Sequence, residues 1–324
     1  MKKRTSITLG VISLTIFTIM LIVAASGPSL SSAQTSITAG LTLPNRNIYA
    51  LTTDQSLYIL RPGATQYARL GRINTNGDNI IEIDFRPANN QLYAYSDQGR
   101  LYTVNLSSTN FGATTLVTTT NPRLTTGFGG AVLDFNPVVD AIRLIGQNDQ
   151  NIAIVSQNGG VLNTTAVQTK LAYVQGDANF GVDPEITAGA YTNNVAGATT
   201  TLFYMIDHDK DNLVTIAPPK TATGSSNTGG GQLQTVGPLV DSAGNRLNMS
   251  PLTTMDIVTI GGVNLIVGQT TRLLFTISLS QVNPNLAVGT QQRVIVNRGP
   301  AGTQLAVGAQ QLSGGIRGLA VSTR

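Results

Sequence analysis

The sequence predicts an all-β chain folded as a β-propeller of five four-stranded blades, with a six-bladed ring or a β-sandwich as alternatives. Three observations predict it. Past residue 37 the chain favours Thr, Asn, Gly, Val, Leu and Ile and lacks Trp, pairing strand-forming side chains with turn formers. Apolar residues alternate, or come in short runs between Gly, Asn and Asp, and no amphipathic helix emerges. A strand motif also recurs along the chain, and the two ends carry complementary fragments of it.

Residues 80–106 supply the template: a strand IIEIDF (80–85), the loop RPANN, a strand QLYAYSD (91–97), a turn, and a strand GRLYTVNL (99–106), followed by ATTLVTT (113–119). The order returns as AVLDFN (131–136), AIRLIGQ (141–147) and NIAIVSQ (151–157). It returns again as ITAGAY (186–191), TLFYMID (201–207), NLVTIAP (212–218) and QLQTVGP (232–238). A further copy is TMDIV (254–258), VNLIVGQ (263–269) and RLLFTISL (272–279), closed by RVIVNRG or its neighbours. The N-terminal region gives NIYALTTD (47–54), QSLYILRP (55–62) and QYARLGRI (66–73), which lack a first strand. The C-terminal IRGLAVS (316–322) is a first strand with nothing after it. Joined, they make a fifth copy, and a ring closed in this way leaves no open seam.

Lys2, Lys3 and Arg4 open the chain, and an uncharged run from Ile7 to Ala25 follows. GPSLSSAQ then brings a helix breaker and small residues, with Ser31 and Ala33 in the pattern a signal peptidase reads. The expected organisation is a signal peptide over 1–33, a short linker over 34–44 and one propeller domain over 45–324. An uncleaved anchor is the alternative, because the apolar run approaches the roughly 20 residues of a membrane helix. An extracytoplasmic location follows, secreted, periplasmic or in the cell envelope, with no later membrane span.

Without Lys2, Lys3 and Arg4, the 20 Lys and Arg fall to 17 against 16 Asp and Glu, a net charge near +1. No basic cluster remains to track a phosphate backbone, so nucleic acid is a poor partner. The chain has no Cys and one His. That excludes a disulfide framework, a cysteine nucleophile and an ordinary transition-metal site. No Gly-x-Ser-x-Gly turn presents a serine to His208. The glycine-rich GSSNTGGG (224–231) lacks the lysine of a phosphate loop and reads as a flexible insertion.

Asp84 is the first acidic residue to weigh. Asp134 and Asp256 fill its slot in other copies, while Ala190 and Ala320 fill it in the remaining two. A catalytic acid and base must differ in role, whereas a residue recurring from copy to copy suits packing or hydrogen bonds to backbone near the axis. The other reading is a ring of carboxylates around a channel, able to hold a cation among oxygens. Strand alternation puts Glu82 and Asp84 on one face, opposite Ile81, Ile83 and Phe85.

In DHDKDN, residues Asp207, Asp209 and Asp211 fall at alternate positions, as in loops that wrap Ca²⁺. Asn212 stands where such a loop needs glycine and Pro218 where it needs glutamate, so a solvated turn is the competing reading. Propeller topology gathers the loops NPRLTTGFGG (121–130) and QGDANFGVDPE (175–185) with the second-to-third-strand turns on one side. Arg123, Asp177, Asp183, Glu185 and Asp209 are therefore candidates to share one mouth of the ring.

LDFNPVVDAIRLI (133–145), ITAGAYTNNVAGATTTLFYMID (186–207), GQLQTVGPL (231–239) and the RLYTVNL segments resemble a bacterial exported family defined as a domain of unknown function, family 4394. The resemblance covers about residues 45 to 322 and is most specific from Asp134 to Asp140. Ala141 departs from it, where an arginine is expected. The resemblance implies a propeller-like β-fold and export, and brings no activity or catalytic residues.

Two function classes follow. The first is a non-catalytic exported propeller, expected to be monomeric and to need no cofactor beyond a candidate Ca²⁺, that binds a protein or an envelope or matrix polysaccharide through a loop face. The second is a carboxylate-based hydrolase or lyase acting on a carbohydrate or small polar substrate at the propeller mouth.

Overall fold

A computed structural model describes residues 41–125, 130–157, 160–216, 224–225, 230–271, 273–298, 306–307, 310–311 and 315–323. The signal peptide reading, most of the glycine-rich insertion and residues 126–129 of one linker lie outside the described residues.

The fold is a five-bladed β-propeller. Blade I joins the two ends of the chain: Ile316–Val321 is its inner strand, followed outward by Ile48–Thr52, Ser56–Leu60 and Ala68–Arg72. Blade II runs Ile80–Arg86, Gln91–Ser96, Arg100–Val104 and Thr114–Thr119. Blade III runs Val132–Asn136, Ala141–Ile145, Asn151–Gln157 and Val161–Val167. Blade IV runs Ile186–Tyr191, Phe203–Asp207, Asn212–Ile216 and Gln232–Val240. Blade V runs Thr254–Ile260, Val263–Gln269, Leu274–Ser278 and Asn297–Arg298. Each inner strand packs on the next, and the inner strand of blade V returns to that of blade I, which closes the ring.

The expected closure is therefore present, with Ile48 opposite Val321 and Ala50 opposite Leu319. Two segments differ from the sequence reading. RVIVNRG does not act as one strand: Val294–Ile295 pairs in parallel with the outer strand of blade IV, and Asn297–Arg298 then closes blade V. The buried side chains of Val294 and Val296 explain the detour, because both sit in the apolar layer between those two blades. The outer strand of blade III, Val161–Val167, is the second. Its VLNTTAV sequence lies largely in solvent and lacks the apolar alternation that marks the inner strands.

Among the described residues the apolar core divides into five layers, one at each blade interface. Period-two alternation produces this, since a strand buried on both faces feeds two layers. In blade II, Leu92 and Ala94 enter the layer shared with blade I, while Tyr93 and Tyr95 enter the layer shared with blade III. Edge-on aromatic pairs sit inside these layers, Tyr49 with Phe85 and Tyr93 with Phe135.

One glycine on the inner strand of blade I is required by close approach. A Cβ on Gly318 would stand 2.4 Å from Glu82 Oε1 and 3.2 Å from Glu82 Cα. Gly318→Ala is expected to lower stability by roughly 1–3 kcal/mol through overpacking. Urea unfolding measures this, and an unchanged midpoint would show that Glu82 moves away freely.

Candidate functional site

The recurring carboxylates converge at the axis. Asp84, Asp134 and Asp256 are 2%, 2% and 1% exposed, and each offers an oxygen within 4.8 Å of those of the other two. Their partners are backbone N–H groups, most of them on the neighbouring blade. Asp84 accepts from Phe85 N at 2.6 Å and from Phe135 N of blade III at 2.9 Å. Asp134 accepts from Tyr191 N of blade IV at 2.9 Å. Asp256 accepts from Ile257 N at 2.5 Å and from Val321 N of blade I at 2.6 Å.

The two alanines in the Asp84 slot now have a physical account. At the interface of blades I and II, Glu82 reaches back in place of an aspartate on blade I, accepting from Leu319 N at 3.1 Å. Thr254 Oγ1 donates to its other oxygen at 3.2 Å. At the interface of blades IV and V, amides replace the carboxylate. Asn194 Nδ2 donates to Ile257 O at 3.3 Å, and Asn264 Nδ2 donates to Asn193 Oδ1 at 3.0 Å.

Burial raises the pKa of all four axial acids, against the backbone hydrogen bonds that favour ionisation. Glu82 is pushed well above the usual range by desolvation. Asp84 and Asp134 are raised by desolvation and then by neighbouring carboxylates. Asp256 is raised to about 7, mainly by desolvation. Carboxylates this close repel one another when ionised, so the axis favours retained protons or a bound counter-charge.

A second acidic group lies at one mouth of the ring, in a cleft of about 610 Å³. Its walls are the second-to-third-strand turns of blades III and IV, with Asp149 on one and His208, Asp209 and Lys210 on the other. The linker residues Asp183 and Glu185 complete it, and Gly130, Thr187 and Pro251 lie at the entries to the inner strands. Linkers and second-to-third turns thus gather on one side, as the topology predicts.

Of the mouth candidates, Asp183, Glu185 and Asp209 line this cleft. Arg123 turns instead to blade II, where its guanidinium donates to Gln98 Oε1 at 3.1 Å. Asp177 is buried, accepting from Thr235 N at 2.7 Å, Thr235 Oγ1 at 2.8 Å and Asn179 N at 2.9 Å, which pins its loop to the outer strand of blade IV.

The three aspartates of DHDKDN take separate partners. Asp207 is buried and accepts from Tyr173 Oη at 2.5 Å and from Asp209 N and Lys210 N at 3.1 Å. Asp209 pairs with Lys210 Nζ at 2.7 Å, which lowers its pKa. Asp211 accepts from Met249 N at 2.7 Å. Among the described residues, the carboxylates close enough to share one ion are those at the axis.

Asp149 was not legible as a site residue. Asn148 and Asp149 both adopt positive φ, 57° and 59°, so in sequence they read as hairpin-turn residues. In the fold, burial raises Asp149 to about 6, helped by the charges of Asp183 and Glu185 and a hydrogen bond with Asp183, and opposed by Lys170.

Residues 73–290 match the model of a family described as a domain of unknown function, DUF4394. The chain belongs to the DUF4394 family. The DUF4394 match takes in blades II, III and IV and three strands of blade V, and leaves out blade I. No curated protein matches this DUF4394 chain. Similar solved structures include an auxiliary nutrient binding protein from Bacteroides thetaiotaomicron VPI-5482, 13% identical with a TM-score of 0.36, covering 67% of this chain and 55% of that one. A structural genomics protein of unknown function from the same organism is 12% identical with a TM-score of 0.40, covering 87% of this chain and 68% of that one. An auxiliary nutrient binding protein from Bacteroides ovatus ATCC 8483 is 11% identical with a TM-score of 0.38, covering 67% and 55%. The DUF4394 chain thus spans just over half the length of two of these proteins. Among its described residues no helix is long and apolar enough to cross a membrane.

Proposed function

We propose that this DUF4394 protein is an exported, non-catalytic propeller that binds a protein or an envelope or matrix polymer through the face carrying the acidic cleft. The observation that carries this reading is the division of labour among the carboxylates. Those that repeat at the axis are buried and committed to backbone N–H groups of neighbouring blades. Those that do not repeat, Asp149, Asp183 and Glu185, line an open cleft at one mouth. Open, largely pre-formed concavities with a few convergent polar groups are the usual form of a ligand site. Export rests on the N-terminal basic start, apolar run and small-residue pattern.

One observation favours an enzyme as the second reading: Asp149, raised to about 6, shares a hydrogen bond with Asp183. That is an acid near neutrality beside a partner carboxylate.

Glycan and envelope-polymer arrays probed with wild type and Asp183→Asn, with mass spectrometry of each bound ligand, separate the two. The expected result is retention of intact ligand by wild type and loss of binding in the variant. Cleaved product that disappears in Asp149→Asn would overturn the non-catalytic reading.

A further inference from the structure

We infer that a second pocket, on the back of blade I, holds an amphiphilic oxyanion, a carboxylate or phosphate head on an aliphatic chain. It measures about 420 Å³. Residues 41–48, which lead into the second strand of the blade, form one wall, and the turn 61–64 after the third strand forms the other. Both walls stand at the strand ends away from the second-to-third turns that build the acidic cleft, so this site is separate from the one proposed above.

The lining divides into an apolar floor and a cationic rim. Ile48 and Leu60, each 1% exposed, belong to the layer between blades V and I. Leu41, Leu43 and Ala64 are half-buried and pack against the same layer. An aliphatic chain laid in this pocket therefore extends an existing core and leaves water in doing so. Ligand pockets are usually built this way, mostly apolar with a few polar groups that fix orientation.

Arg46 and Arg61 are the charged residues of the lining. Arg61 is exposed and Arg46 half-buried, and neither forms an ion pair among the described residues. The guanidinium of Arg46 is also under-used. Its Nε is buried and has no hydrogen-bond partner, while its Nη1 donates to Asn45 O of the preceding residue at 2.9 Å. A buried donor left in this way is uncommon and calls for an acceptor. All 16 Asp and Glu of the chain lie among the described residues, and none lines the pocket. The chain therefore supplies no side-chain carboxylate to balance these two charges.

Two guanidinium groups without an acid select the sign of the ligand. Their N–H donors match the paired oxygens of a carboxylate or phosphate, and they stay charged at every physiological pH. The apolar floor then requires that the head carry a chain. A small anion would leave that floor wet, and a neutral alcohol would leave the arginines unbalanced. An amphiphilic oxyanion satisfies both halves of the pocket.

Isothermal titration of the purified protein tests this with decanoate and decyl phosphate, below their micellar concentrations, against 1-decanol, acetate and inorganic phosphate. At least one of the two amphiphiles is expected to bind saturably, and the tighter of them identifies the head. Decanol, acetate and phosphate should each bind more weakly by about tenfold or more. Arg46→Gln and Arg61→Gln should each weaken the amphiphile about tenfold. Arg61 is exposed, so Arg61→Gln should leave the thermal midpoint of the free protein unchanged and carries the test if Arg46→Gln unfolds. The bound amphiphile should raise that midpoint, because a ligand of the folded state stabilises it. No saturable binding of either amphiphile overturns the inference, as does binding that Arg61→Gln leaves intact. Equal affinity for decanol removes the role of the charge, and equal affinity for acetate or phosphate removes that of the floor; either result overturns it. A lowered midpoint marks surfactant unfolding and overturns it as well.

Discussion

Deleting residues 315–324 is expected to abolish cooperative unfolding altogether. The segment is the inner strand of blade I and pairs along its length with Ile48–Thr52. Ile316, Leu319 and Val321 fill the layer between blades V and I, and Ala320 enters the layer between blades I and II. Burial of each large aliphatic contributes about 1.5–3 kcal/mol, so the three together rival a typical domain stability of about 5–15 kcal/mol. The deletion also removes the Leu319 and Val321 N–H donors from the buried Glu82 and Asp256 carboxylates, and exposes the edge of Ile48–Thr52 to aggregation. Near-UV circular dichroism and urea titration of the truncated chain give the readout. A sigmoidal transition at the wild-type midpoint would mean that the ring does not depend on closure.

Raising the pH from 5 to 8 is expected to lower the thermal midpoint by roughly 10 °C. In the unfolded chain Glu82, Asp84, Asp134 and Asp256 titrate near pH 4. In the ring all four are raised, Asp256 to about 7. Between those values the folded state holds more protons than the unfolded one, so its stability falls as pH rises. It is greatest below the unfolded pKa and is lost progressively through pH 7. Asp256 alone, titrating at about 7 when folded and near 4 when unfolded, loses roughly 3 kcal/mol over this range at about 1.4 kcal/mol per pH unit, and each kcal/mol is about 2–4 °C in a protein of this size. Asp256→Asn should flatten the profile. A midpoint that rises with pH, and rises further with added Ca²⁺ and falls with chelator, would instead assign the axial carboxylates to a bound cation.

The propeller was readable because its inner strands are short, apolar and bounded by turn residues, so a single motif could be laid along the chain. Blade closure was readable for the same reason, from the missing strand before Ile48 and the surplus strand at Ile316–Val321. The place of Asp84 in a repeat was likewise visible, though the donor it serves was not. Phe135 N lies 51 positions away, and no local pattern encodes that pairing. Ala190 and Ala320 looked like simple gaps, because their replacements act across interfaces: the Asn193–Asn264 amides in one case and Glu82 reaching toward Gly318 in the other. Three of the five mouth candidates follow from topology: Asp183 and Glu185 lie on a linker that must pass over the cleft, and Asp209 on a second-to-third-strand turn at the same mouth. Asp177 and Arg123 come from loops of the same kind and turn away from it, a choice made by the backbone N–H of Thr235 and by the side chain of Gln98.

The joining of both chain ends in blade I also gives the molecule a direction. Asn47 and Ser322 bond to each other, Ser322 N to Asn47 O at 2.9 Å and Asn47 N to Ser322 Oγ at 3.2 Å. They stand where an inner strand passes to the second strand of its blade. The cleft is built from the opposite ends of the strands, from second-to-third turns and the entries to inner strands. The Asn47–Ser322 junction therefore lies on the face of the ring away from the acidic mouth. A surface that touched that junction would leave the acidic mouth open to whatever diffuses past.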